Sequence, residues 1–147
     1  MNSRKKQTLD LIYYEPYKIG HWVGFHDLTE LHNEWLRSFL YAEEDQTLLA
    51  HRGAYKTTVL SLFLAIHTVI DPNENVMFFR KTDDDVTEVM TQAQKILQSG
   101  VMQRIVLDLY DTELRFLKSN NSEIHTNLCT STKGVSQVIG LGRCTEV

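Results

Sequence analysis

Leu49-Ala50-His51-Arg52-Gly53-Ala54-Tyr55-Lys56-Thr57-Thr58 is the stretch on which the reading of this chain turns. Before it, the short apolar run Thr47 to Ala50 predicts a strand, and after it a helix is expected from about Thr57 to Val69, hydrophobic nearly all round. A helix of that kind fits between a sheet and another layer. Strand, polar loop and helix in that order place backbone N–H groups and the positive end of the helix dipole where phosphate oxygens can be held. In such a loop the backbone of Gly53, Ala54, Tyr55, Lys56, Thr57 and Thr58 would cradle phosphate. Lys56 would reach the β- and γ-phosphates of a bound nucleotide, and the Thr57 hydroxyl would ligate Mg²⁺. The pattern G-x-x-x-x-G-K-[ST] is not met, because Ala50 and Tyr55 stand at its two glycine positions and Gly53 is the only glycine of the loop. On these residues alone, a helix beginning after a polar turn accounts for Lys56-Thr57 as well as a phosphate loop does.

Outward from this stretch, Asp71-Pro72-Asn73 stops the helix and Asn75 to Phe79 reads as a second, buried strand. Thr82 to Asp85 has capping-box spacing, with acids in the first turn, and opens a helix carried by Val86, Val89, Met90, Ala93 and Leu97 up to Ser99-Gly100. Glu113–Lys118 and Glu123–Leu128 predict a hairpin about Ser119-Asn120-Asn121-Ser122, and Gly134–Gly142 a short strand or loop. Upstream, Asp27 and Glu30 predict a helix from near Asp27 to about Ala42. Residues 1–26, rich in aromatics but without a clear period, read as an irregular segment lying on the core. Strand and helix in alternation imply an α/β fold with a parallel sheet, flanking helices and a β-hairpin.

With 147 residues, 42% hydrophobic and 23% charged, the composition is that of one globular domain. Residues 1–73 hold seven basic against nine acidic side chains and residues 74–147 eight against ten, so no basic half advertises nucleic acid. Val59–Ile70 is too short to span a bilayer and no signal peptide is visible, which reads as a cytosolic protein with no membrane partner. Cys129 and Cys144 read as reduced thiols. The six histidines, without His-x-x-x-His spacing, read as structural or exposed. Asp83, Asp84 and Asp85 suit the helix dipole better than a metal.

The string His51 to Thr58 with its apolar helix resembles the deviant Walker A of the large subunit of phage terminases, in which an arginine precedes the lysine by four residues, as Arg52 does here. Similar in the same order are Ile19-Gly20 through Gly24-Phe25 to His32 and Trp35, Phe78-Phe79-Arg80-Lys81-Thr82-Asp83-Asp84-Asp85, Glu123–Asn127 and Gly140-Leu141-Gly142. The resemblance implies a P-loop NTPase of the additional-strand class, with ATP and Mg²⁺ as cofactors. Lys56 and Thr57 would be its phosphate and Mg²⁺ contacts, and Arg52 its γ-phosphate arginine. It implies a parent protein that packages double-stranded viral DNA in a bacterial host cell, partnered by a portal protein and a small terminase subunit, with a nuclease domain further on. The expected organisation is an N-terminal segment and helix over 1–45, then the phosphate-binding half of the ATPase domain over 46–147, truncated before Walker B. Ile105-Val106-Leu107-Asp108 lacks the second acid of a Walker B motif, so hydrolysis by this chain alone is not expected. The alternative is a non-catalytic prophage remnant or interaction module, in which an exposed sheet edge favours self-association.

Overall fold

The computed structural model describes residues 3–51, 53–131 and 134–142. It is an α/β fold of six helices and one four-stranded sheet. The helices are α1 (Ser3–Tyr14), α2 (Tyr17–Trp22), α3 (Glu30–Tyr41), α4 (Lys56–Ile70), α5 (Asp83–Gln98) and α6 (Gly100–Tyr110). The strands are β1 (Val76–Phe79), β2 (Phe116–Ser119), β3 (Glu123–Thr126) and β4 (Val138–Leu141). In the sheet order β1-β4-β3-β2, β1 and β4 run parallel while β4–β3 and β3–β2 are antiparallel. The sheet is therefore mixed, and only one of its pairings is the parallel kind expected from the sequence.

Helix α4 is the buried axis of the molecule, packed between α3 and α5. Val59, Leu62, Leu64, Ala65, Ile66 and Val69 point to different sides of it and are all within 1% of full burial, which explains its all-round hydrophobicity. Helix α5 lies between α4 and the sheet. Its first turn is capped as expected, the Thr82 hydroxyl accepting from the Asp85 N–H (3.1 Å). Gly140 and Gly142 explain themselves here: a Cβ on Gly140 would stand 2.6 Å from Val86 Cγ1, and one on Gly142 2.0 Å from Asp83 Oδ1. Only glycine lets β4 run this close beneath the start of α5.

Besides the mixed sheet, four expectations about the helices and β1 need correction. The N-terminal segment, expected to be irregular, forms two helices, α1 and α2, joined at Glu15-Pro16. Helix α1 buries only Thr8 and Ile12, too narrow a stripe to register as a period, and is held against α6, where Thr8 Oγ1 donates to Asp108 (3.2 Å). Helix α3 begins at Glu30, not Asp27, because Thr29 and His32 form the capping box. Strand β1 is an edge strand: Phe78 is buried, but Met77 and Phe79 face outward, Phe79 at 70% exposure. Helix α6 had no counterpart in the sequence reading. Ser99 ends α5 and caps α6 through Met102 N–H (3.3 Å), and Ile105–Asp108 is therefore helical, as a Walker B strand cannot be.

The hairpin is where the sequence placed it. Asn120 Oδ1 accepts from the N–H groups of Ser122 and Glu123 (both 2.9 Å), which fixes the turn. Gln137, 1% exposed, joins sheet to helix: its Oε1 accepts from the Thr126 N–H and hydroxyl (2.7 Å each) and its Nε2 donates to the Thr68 carbonyl of α4 (3.2 Å). Among the described residues no helix is long and apolar enough to cross a membrane.

Candidate functional site

The loop before α4 is built by two left-handed residues. Gly53 has φ +84°, which costs a glycine little, and Tyr55, the residue preceding α4, has φ +66° and ψ +27°. A side chain in that region carries a penalty of about 1 kcal/mol. Tyr55 thus adopts the conformation that the absent glycine of a phosphate loop would adopt freely. Outside contacts hold it there. Its hydroxyl donates to Asp27 Oδ2 (3.0 Å), and that bond, reinforced by the Asp27 charge, raises its pKa above the ordinary phenol value.

His32 anchors the loop from α3. The Thr29 N–H donates to His32 Nδ1 (2.9 Å), so the ring proton resides on Nε2, which donates to the Ala54 carbonyl (2.9 Å). The edge of the ring also meets Tyr55 at 5.7 Å between centroids. The sequence reading of His32 as structural agrees with this, although its hold on the loop was not legible. The signal was the Thr29-x-x-His32 spacing, in which a histidine takes the place usual for Glu or Gln.

Lys56 opens α4, and its Nζ donates to the Ala50 carbonyl (2.8 Å), folding the ammonium back across the loop. One residue on, the Thr57 hydroxyl receives a long hydrogen bond from Arg80 Nη1 (3.5 Å). Arg80 follows the C-terminal end of β1, and its own N–H pairs with the Leu141 carbonyl (3.0 Å). The sheet therefore delivers a second cation to the start of α4. Sequence reasoning quoted Arg80 but assigned it no role, because the contact spans 23 residues and depends on how β1 meets α4. Gly53, Ala54, Tyr55, Lys56, Thr57 and Thr58 together line a depression of about 550 Å³. Arg52 lies outside the described residues.

The strand expected at Thr47–Ala50 is absent, and Leu49 is 89% exposed. β4 pairs directly with both β1 and β3, so no interior slot is open to it. The outer edge of β1 is left unpaired among the described residues, and Thr47–Ala50 does not add to it as a strand. Among the described residues, no strand runs directly into a pair of acids; Asp83, Asp84 and Asp85 follow β1 only after Arg80-Lys81-Thr82, in the first turn of α5. Of the aromatics at the N-terminus, Tyr13, Tyr14 and Trp22 are exposed and Tyr17 is partly buried against the core.

The donor set suits phosphate. The first N–H groups of α4 have no partner within the helix, the helix dipole adds positive potential, and Lys56 and Arg80 add two cations. Thr57 offers one hydroxyl oxygen to a hard cation such as Mg²⁺, whose other ligands would be phosphate and water. Neither a scan against models of protein families nor searches of curated proteins and of solved structures returned a match.

Proposed function

We propose that this chain is the N-terminal ATPase-domain portion of a phage terminase large subunit, and that the start of α4 is its ATP-phosphate site. The observation that carries the reading is the convergence of Lys56, Thr57 and Arg80 on one helix N-terminus, behind a loop whose Tyr55 takes a glycine-like conformation. The Gly53–Thr58 backbone would hold the phosphates, Lys56 would exchange the Ala50 carbonyl for a phosphate oxygen, and Thr57 would hold Mg²⁺. Bound Mg²⁺ would supply charge neutralisation between phosphate oxygens. Arg52 is the γ-phosphate arginine of this reading, and viral DNA, portal protein and small terminase subunit are partners of the parent protein. Hydrolysis is not assigned to the described residues, because none of their strands runs directly into a pair of acids.

The test is calorimetric titration with Mg²⁺ and a non-hydrolysable ATP analogue. The expected result is saturable binding that weakens at least about tenfold in Lys56→Ala, as fits the loss of a charge-assisted contact. Silence in both proteins, each folded by circular dichroism, would favour a second reading: a non-catalytic interaction module. One observation supports that alternative, the uncovered sheet face bearing Met77, Phe79, Leu117 and Leu141.

A further inference from the structure

The opposite end of α4 carries a different chemistry. His67 lies in its last turn, Asp71 caps it, and Glu74 stands in the turn leading to β1. One ligand atom from each of the three lies within 4.8 Å of the other two. His67 Nε2 and Glu74 Oε2 are 3.5 Å apart, close to the separation of about 3.3 Å between two ligands of a tetrahedral zinc ion. We propose that His67, Asp71 and Glu74 form a divalent transition-metal site, with Zn²⁺ the best-fitting ion and water completing its coordination.

The site has one preformed ligand and two adjustable ones. His67 is 9% exposed and packs beside Phe63 (5.6 Å between rings), so its imidazole is held, whereas Asp71 and Glu74 are exposed and can close on an ion. The turn beneath them is pinned. The Asp71 N–H donates to the His67 carbonyl (2.9 Å) and the Glu74 N–H to the Asp71 carbonyl (3.1 Å). Asn73 Oδ1 accepts from the N–H groups of Thr130 and Ser131. Binding a metal through two carboxylates and one imidazole lone pair would give the ligand set a net charge of −2, and the negative end of the α4 dipole adds to it. A nitrogen with two oxygens favours Zn²⁺ over Mg²⁺ or Ca²⁺, which prefer all-oxygen sets. The sequence reading passed over this group because it sought paired histidines. Here the spacing of four and three residues carries one histidine and two acids around a helix end.

An ion here would tie the end of α4 to the start of β1 and stabilise the folded chain by mass action. The proposal is independent of nucleotide. Untagged protein, stripped with chelator, is titrated calorimetrically with Zn²⁺ alone, with Mg²⁺ as comparison, and its thermal midpoint is followed. The expected result is one Zn²⁺ per chain with a rise in midpoint, binding weakened at least about tenfold in Asp71→Asn and in Glu74→Gln and lost in His67→Ala. Lys56→Ala should bind zinc as the parent does, which separates failure here from failure of the phosphate site. His67 is buried, so the two isosteric acid variants decide the matter if His67→Ala does not fold. Absence of zinc binding, or binding indifferent to Asp71→Asn and Glu74→Gln, would overturn the proposal.

Discussion

At its first turn α4 presents Lys56, Thr57 and free N–H groups to a depression, beside a loop that Asp27 and His32 hold through Tyr55 and Ala54, with Arg80 on Thr57. At its last turn the carbonyls of Thr68 and Val69 are taken by Gln137 and Tyr110, residues brought in from the sheet and from α6. The same helix is thus left open where its dipole attracts anions and tied down by the body of the fold where its dipole attracts cations. A phosphate at the open end would bind without disturbing the contacts that hold the other end.

This contrast predicts unequal costs of mutation at the two ends. Gln137→Ala should cost most, about 3 kcal/mol in urea unfolding, because it leaves the Thr126 N–H and hydroxyl and the Thr68 carbonyl buried without partners. A loss under about 1 kcal/mol would mean that the last turn is not held from the sheet. Tyr110→Phe removes the hydrogen bond to the Val69 carbonyl and should cost about 1 kcal/mol.

Tyr110 also sets a pH dependence. Burial, then the Asp71 charge, raises its pKa above 10.0, so the folded state favours the neutral phenol. That contribution is complete below pH 10 and is lost as pH rises above it. Tyr41, pushed up to about 12 mainly by burial, extends the window to between pH 10 and 12. Urea midpoints over that range should fall in the parent and fall less steeply in Tyr110→Phe.

The open end should respond weakly. Tyr55→Gly relieves the left-handed strain but gives up the contacts to Asp27 and His32, so a change of at most about 1 kcal/mol is expected, in the stabilising direction. Lys56→Ala should alter stability least, within about 0.5 kcal/mol, while weakening the proposed nucleotide-analogue binding at least about tenfold. A large loss of stability in Lys56→Ala would erase the distinction between the two ends.

Elements defined by short-range signals were legible. The apolar run from Val59, the Thr82 cap with its three acids and the Ser119–Ser122 turn each specify their structure within a few residues, and all three stand where the sequence placed them. Helices α1 and α6 were not legible, because each buries a stripe whose partner is the other. Thr47–Ala50 failed in the opposite sense. Its composition permits a strand, but a strand exists only where it pairs with another: β4 is already flanked by β1 and β3, and Thr47–Ala50 does not pair with the open edge of β1.

The candidate site divides along the same line. Lys56, Thr57 and the loop around Gly53 could be named from the sequence, since a helix start and its dipole are local properties. The left-handed turn at Tyr55, the hold of His32 on Ala54 and the approach of Arg80 to Thr57 were decided by packing. The sequence by itself determined which helix would be buried, where its ends lie and which residues stand at each end. Only the tertiary structure decided what meets those ends, because hydrogen bonds from Arg80, Gln137 and Tyr110 span 23, 69 and 41 residues. Contacts at such separations follow from the order of strands in the sheet, which no local pattern encodes.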